Sequence, residues 1–277
     1  MRRAAHQIHD ERPLVFDDPF ALKILPPEAR EELRRTPAAS RKPFSAAMRS
    51  FMVCRARFAE DVVAAGVRDH GVAQVLVLGA GLDTFGLRNS YPNMRVFEVD
   101  HPATQSWKRR LLADAKLPVP EGLRFVAVDF ERQSLRQQLL HAGFDFDLPC
   151  ATTWLGVVPY LTSEAFAATG RVLGRLPAGS SLVFDYSLPR EALGPIEQLM
   201  LDSLAARVAQ AGEPFQLFFT PESLAEKLSC YDLSVVEDMD SDVLNARYLA
   251  HRSDGLHLRG RAGRLCHAAI FPNGARQ

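Results

Sequence analysis

Lysine, tryptophan and cysteine are scarce in this 277-residue chain, and neither sign of charge predominates. Its 33 Lys+Arg residues balance 33 Asp+Glu residues, so the basic excess that a dedicated nucleic-acid binder sets against phosphates is missing. Lysine occurs at 23, 42, 108, 116 and 227, which leaves 33 − 5 = 28 arginines; no mechanism follows from that bias. The four cysteines, Cys54, Cys150, Cys230 and Cys266, lie 96, 80 and 36 residues apart. That spacing excludes a CxxC metal knuckle or a short disulfide staple and suits reduced, mostly buried thiols. No segment approaches the roughly 18–20 apolar residues that span a bilayer, and MRRAAHQIHDERP lacks the apolar stretch of a signal peptide. The expectation is a cytoplasmic protein with neither a membrane nor a nucleic-acid partner.

What is present is ample material for a core: 47% hydrophobic and 24% charged residues, as in an ordinary globular protein. No repeat, low-complexity tract or linker divides the chain. Residues 1–70 read as a helical cap, with DDPFALKIL, PPEAREELRR and a long run from Phe44 to His70 as its helices. In that run Phe51, Cys54, Phe58 and Val62 recur at helical spacing. From Gln74 the pattern changes to five short apolar runs, QVLVLGAG, MRVFEVD, LRFVAVDF, PCATTWLGVV and SLVFDYS. They lie too far apart for hairpins, which implies crossover connections and a parallel sheet buried on both faces. LSVVED and LCHAAIF supply two closing strands after a helical insertion near 188–230. The fold expected for residues 71–277 is therefore α/β, doubly wound, with a mostly parallel seven-stranded sheet and an antiparallel edge.

Chemistry concentrates where these strands end. VLVLGAGLDT runs an apolar strand into Gly79-Ala80-Gly81, a turn that lets a ligand approach the backbone at the sheet edge where α/β ligands bind. A tight structural turn would use the same glycines. A dinucleotide fingerprint would need a third glycine where Thr84 stands, and Asp83 would set negative charge beside a pyrophosphate. A nicotinamide-dependent oxidoreductase is thus the weaker alternative, and a nucleoside carrying an amino-acid tail suits the loop better. Asp100, nineteen residues beyond Gly81 at the end of the second strand, can accept both ribose hydroxyls or cap the following helix. Asp129 and Phe130, on the same rim, can take an adenine amino group and face the base. HQIH at 6 to 9 has a helix-compatible metal spacing, with nothing else in the sequence to complete a site.

FDDPFA (16–21), RARFAED (55–61), LGAGLDT (78–84), FEVDHP (97–102), VAVDF (126–130), WLGVVPYLT (154–162) and FDYS (184–187) together resemble the class I S-adenosylmethionine-dependent methyltransferases. The group resembled is the leucine carboxyl methyltransferases with their bacterial O-methyltransferase relatives of polyketide and secondary metabolism. The resemblance implies that Arg55 pairs with the methionine carboxylate of S-adenosyl-L-methionine and that Gly79, Ala80, Gly81 and Asp83 flank its methionine moiety. It implies further that Asp100 holds the ribose, that Asp129 and Phe130 hold the adenine, and that His101 and Trp154 lie at the cofactor. The chain departs from the pattern at Phe85-Gly86, where many relatives carry an arginine and an aromatic, and at Leu155, where relatives often carry an acid. The implied reaction is O-methylation of a carboxylate or hydroxyl of a small metabolite. A carboxylate needs no base, whereas a phenol of pKa about 10 does. Tyr160 and Tyr186 are the candidate catalytic residues, with His101 and the loop aromatics Phe215, Phe218 and Phe219 as further acceptor-side groups. A catalytically silent cofactor binder is the other alternative, and the sequence leaves monomer or homodimer undecided.

Overall fold

The computed structural model describes residues 1–35, 42–129, 132–210 and 212–272. The chain opens with α1 (Arg2–His9), α2 (Pro19–Lys23), α3 (Pro27–Arg35) and the long α4 (Pro43–His70). It then runs through β1 (Gln74–Leu78), α5 (Phe85–Arg88), β2 (Arg95–Asp100), α6 (Pro102–Asp114), β3 (Leu123–Ala127), α7 (Leu135–His141), β4 (Cys150–Trp154) and α8 (Ser163–Leu173). β5 (Ser181–Ser187), α9 (Pro195–Gln210), α10 (Pro221–Ser229), β6 (Ser234–Met239), α11 (Ser241–Tyr248) and β7 (Gly263–Ala269) complete it.

The seven strands form one sheet in the order β3-β2-β1-β4-β5-β7-β6. β1 to β5 are mutually parallel, and β7 runs antiparallel to both β5 and β6. The antiparallel strand therefore sits one place inside the edge, because β7 inserts between β5 and β6. Alternate residues of each strand enter different cores. Leu76, Leu78, Phe97, Val99, Trp154, Phe184 and Tyr186 bury on one face, while Val75, Val77, Val96 and Ala151 bury on the other. Burial of both faces explains why these strands read as nearly continuous apolar runs.

Helix α4 begins with Pro43, whose missing N–H costs nothing in the first turn, and stops where Gly71 adopts φ 65°. Its apolar stripe of Val53, Cys54, Phe58, Ala59 and Val62 packs against Val183 of β5 and Leu265 of β7. The helix that the sequence assigns to a cap is thus also a layer of the sheet sandwich. The four thiols are all unpaired, with Cys54, Cys150 and Cys266 buried and Cys230 exposed. Burial pushes both Cys54 and Cys150 up to about 12, so they act as small apolar groups. Among the described residues no helix is long and apolar enough to cross a membrane.

Candidate active site at the strand ends

β1 delivers the chain into the glycine turn, where Gly79 and Gly81 take φ 61° and 47°, a region costly for other residues. A Cβ on Gly79 would lie 2.4 Å from Val157 Cγ2, so position 79 is closed to side chains both by conformation and by space. Asp83 ends the turn. Its Oδ1 accepts the Phe85 N–H at 2.7 Å, its Oδ2 lies 3.2 Å from Arg3, and its carbonyl accepts Lys108 Nζ at 2.6 Å. Burial raises the Asp83 carboxyl, but Arg3, Lys108, the Phe85 N–H and Arg88 together outweigh that and hold it below the usual range.

At the end of β2, Asp100 Oδ2 accepts the Gly81 N–H at 2.5 Å and Oδ1 accepts the His101 N–H at 2.7 Å. The helix-capping alternative for Asp100 does not hold, because His101 caps α6 through Nδ1, which accepts the Ala103 N–H at 3.2 Å. Two N–H donors leave Asp100 about half of the four lone-pair sites of a carboxylate. His101 is exposed on the same rim. Asp129 follows β3, with Arg132 at 3.7 Å and its own N–H donated to Gln133 Oε1. Phe130, expected to face a base, lies outside the described residues.

The N-terminal helices close one side of the turn through buried ionic contacts. Asp18 is fully buried: Oδ1 caps α2 by accepting the Ala21 N–H, and Oδ2 accepts the Thr84 hydroxyl at 2.8 Å. The FDDPFA and LGAGLDT motifs thus meet at one hydrogen bond, which explains a threonine where a dinucleotide fold has glycine. Arg88 joins them, pairing with Glu60, approaching Asp18 at 3.5 Å and stacking over Phe16 at 4.7 Å. HQIH serves α1 rather than a metal. His6 Nδ1 meets Asp10 at 2.7 Å while His9 Nε2 meets the Leu33 carbonyl at 2.9 Å, so the two rings turn to separate partners. Asp10 also forms a two-point pair with buried Arg49.

Two cavities meet at these elements. The first, about 380 Å³, lies against the glycine turn and is walled by Arg3, Met52, Arg55, Asp83, Thr153 and Leu155. The second, about 280 Å³, lies between α4, α9 and the ends of β4 and β5, with Phe51, Leu201, Leu204 and Phe215 among its apolar walls. Met52 and Arg55 line both cavities. Arg55 Nη1 donates to Asp185 Oδ2 at 2.8 Å, and Asp185 Oδ1 accepts the Gly156 N–H at 2.5 Å. A Cβ on Gly156 would come within 2.8 Å of Arg55 Nη2, so glycine there makes room for the guanidinium. Tyr160 lines the second cavity beside Phe215. Burial, followed by Glu213 and Asp185, raises its pKa above the ordinary tyrosine value.

The structure thus brings Arg55, Gly79, Ala80, Gly81 and Asp83 around one cavity and sets Asp100 behind Gly81. It does not bring Trp154 and Tyr186 there. Trp154 is 2% exposed and stacks on Phe166 at 5.5 Å, because alternation on β4 turns its neighbours Thr153 and Leu155 to the cavity instead. Tyr186 is 1% exposed and donates to Asp238 at 2.6 Å, while Asp185, one residue earlier, faces the second cavity. Phe219 packs in the same core against Phe166; Phe218 is half-buried. Sequence reasoning missed Arg3, Asp185 and Lys108. Asp185 had a usable signal, an acid at the end of an apolar strand like Asp100 and Asp129. Arg3 had none.

The leucine carboxyl methyltransferase family model matches residues 1–173. YktD of Bacillus subtilis (strain 168), named as a candidate S-adenosyl-L-methionine-dependent methyltransferase, is 34% identical over 189 residues, 67% of this chain and 62% of YktD. The chain therefore spans about three-fifths of the length of that curated relative. A DUF574 family protein from Streptomyces avermitilis superposes with a TM-score of 0.58 over 97% of this chain and 96% of its own, at 20% identity. A candidate methyltransferase from Thermobifida fusca does so with 0.57 over 87% and 89%, also at 20% identity. These two likenesses establish the shared fold, a Rossmann-like α/β sheet. With well over half of its length matched by one family model, the chain belongs to the leucine carboxyl methyltransferase family.

Proposed function

We propose that this chain transfers a methyl group from S-adenosylmethionine to an oxygen atom of a small, largely apolar molecule. The observation that carries the reading is a pair of cavities that share Arg55 and Met52 in their walls, one with Arg3, Arg55 and Asp83 against the glycine turn and a more apolar one beyond it. The residues fit the cofactor. Arg3 and Arg55 offer guanidinium forks for its carboxylate, the Gly79–Gly81 backbone leaves space that a Cβ would fill, and Asp100 keeps acceptor capacity for the ribose hydroxyls. A pyrophosphate at the glycine turn would instead meet Asp83. The names of the relatives support the same reading.

When bound, the cofactor supplies a methyl group on a sulfonium, open to in-line displacement. The protein's part is to hold the acceptor oxygen on that line and to exclude water, and such positioning supplies much of the acceleration. Phe51, Leu201, Leu204 and Phe215 would bury the body of the acceptor, leaving its reactive oxygen at the polar junction beside Arg55, Asp185 and Tyr160. The experiment is incubation of the purified chain with methyl-labelled S-adenosylmethionine and a panel of apolar phenols, alcohols and carboxylic acids. Labelled, solvent-extractable product is expected from at least one; transfer to none would overturn the reading.

A further inference from the structure

A carboxylate acceptor and a hydroxyl acceptor make opposite demands on the inner end of the apolar cavity. A carboxylate arrives charged and needs a cation whose charge is not already balanced. A hydroxyl arrives neutral and needs a group to take its proton. The inner end is built for the second. Asp185 is 6% exposed and lines this cavity. Its two hydrogen bonds, from the Gly156 N–H and Arg55 Nη1, leave about two of the carboxylate's four lone-pair sites for a further donor. Arg55 already faces one carboxylate at 2.8 Å, and the proposed cofactor would bring a second to the same guanidinium. A third, on the acceptor, would find no unbalanced guanidinium there and would lie beside Asp185, with only the cofactor's sulfonium to offset its charge. Tyr160 in the same wall is a raised-pKa hydroxyl, neutral at physiological pH, and Glu197 adds another carboxylate. Arg259, the remaining guanidinium of the wall, is exposed and shares its stretch of wall with the Glu197 carboxylate.

We infer that Asp185 selects and activates a hydroxyl, so that the acceptor is an apolar phenol or alcohol rather than a carboxylic acid. The inference rests on the methyltransferase reading above. In the step it assigns, a lone pair of the acceptor oxygen forms the new O–CH₃ bond as the S–CH₃ bond breaks, leaving the neutral thioether S-adenosylhomocysteine. The O–H proton passes to Asp185 and later to water. A carboxylate suffices as the base, because the oxygen becomes strongly acidic as it gains the methyl carbon. Asp185 also keeps Arg55 directed between the two cavities, which ties acceptor choice to the residue that both cavities share.

The test uses 2-naphthol and 2-naphthoate, probes that share one aromatic body and differ in the group presented. Calorimetry at pH 7.5 on protein saturated with S-adenosylhomocysteine should show the naphthol bound about tenfold or more tightly than the naphthoate. Asp185→Asn, which keeps an oxygen for the Gly156 N–H but removes the charge, should bring the two within about threefold of each other. The ratio is taken with each protein saturated, so a weaker grip on S-adenosylhomocysteine in the variant does not move it. With labelled S-adenosylmethionine the unmodified chain should yield the naphthyl methyl ether and not the methyl ester. Equal or tighter naphthoate binding, ester formation, or a ratio unchanged by Asp185→Asn in a folded variant would overturn the inference. Failure of the unmodified chain to bind S-adenosylhomocysteine would instead strike the methyltransferase reading beneath it.

Discussion

Replacing Glu98 by glutamine should flatten the pH dependence of stability, and the size of the effect follows from where Glu98 sits. It projects from β2 beneath the glycine turn, 1% exposed. Oε2 accepts Lys108 Nζ at 2.5 Å, and Oε1 has no hydrogen-bond partner among the described residues. Burial pushes its carboxyl from 4.5 up to about 7, against the opposing pull of Lys108 and with help from Asp83. The native state therefore holds a proton that the unfolded chain releases near 4.5. The stability this contributes is fully present below about pH 4.5 and is lost as pH rises through 7. Integrating the two titrations gives a loss of about 2 kcal/mol between pH 5.5 and 8.5 at this site. Urea denaturation of the wild type and Glu98→Gln at both pH values measures the term together with its coupling to Lys108 and Asp83, since groups remote from Glu98 titrate alike in both. The stability of the wild type relative to Glu98→Gln should fall by about 2 kcal/mol over that range. A difference that does not move with pH would refute the claim that burial governs this carboxyl.

Other sites give equally direct outcomes. Gly79→Ala forces a left-handed φ on a side chain and drives its Cβ into Val157; about 2–4 kcal/mol of stability should be lost in urea denaturation. Thr84→Val removes the hydroxyl that Asp18 Oδ2 accepts and leaves a buried carboxylate oxygen short of a donor, a cost of about 1–3 kcal/mol visible in the same assay. Arg49→Met strips the two-point pair from buried Asp10, and about 3–5 kcal/mol should be lost. Hydrogen exchange should then show α1 opening ahead of the sheet. The Asp10 carboxyl, which burial raises but His6 and Arg49 together hold below its usual range, stabilises the fold above about pH 4. Its contribution fades as pH falls further.

The sheet was legible because its signal is burial. Five strands covered on both faces must be apolar throughout, and the crossovers between them are long enough to show as helical stretches. The order of the strands was not legible, since nothing local distinguishes a closing strand at the edge from one inserted beside β5, where β7 lies. Helix α1 escaped notice because its buried apolar side chains, Ala4 and Ala5, are small, and much of its anchoring is polar, through Arg3, Gln7 and the following Asp10. Helix α11, SDVLNARY, buries little beyond Leu244 and carries no apolar stripe.

Within the site, residues whose backbone or strand position fixes where they lie were readable, namely the glycine turn, Asp83 and Asp100. Residues whose role depends on which face of a doubly buried strand they occupy were not. Trp154 and Tyr186 are the large, conspicuous side chains at the ends of β4 and β5, yet the period of two sends them into the core and gives the cavities to Thr153, Leu155 and Asp185. Leu155 removes the expected acid from β4, and the carboxylate that meets Arg55 comes from β5 instead.

The measurement that bears most directly on the account is calorimetric titration of S-adenosylhomocysteine into the wild type and Asp100→Ala. Asp100 accepts the Gly81 and His101 N–H groups and is assigned the ribose, so its loss should weaken binding by roughly ten- to a hundredfold. Tight binding by the wild type and that weakening by the variant are the predicted result. Equal affinity in the two proteins, or no binding by the wild type, would contradict a cofactor held at the ends of β1 and β2.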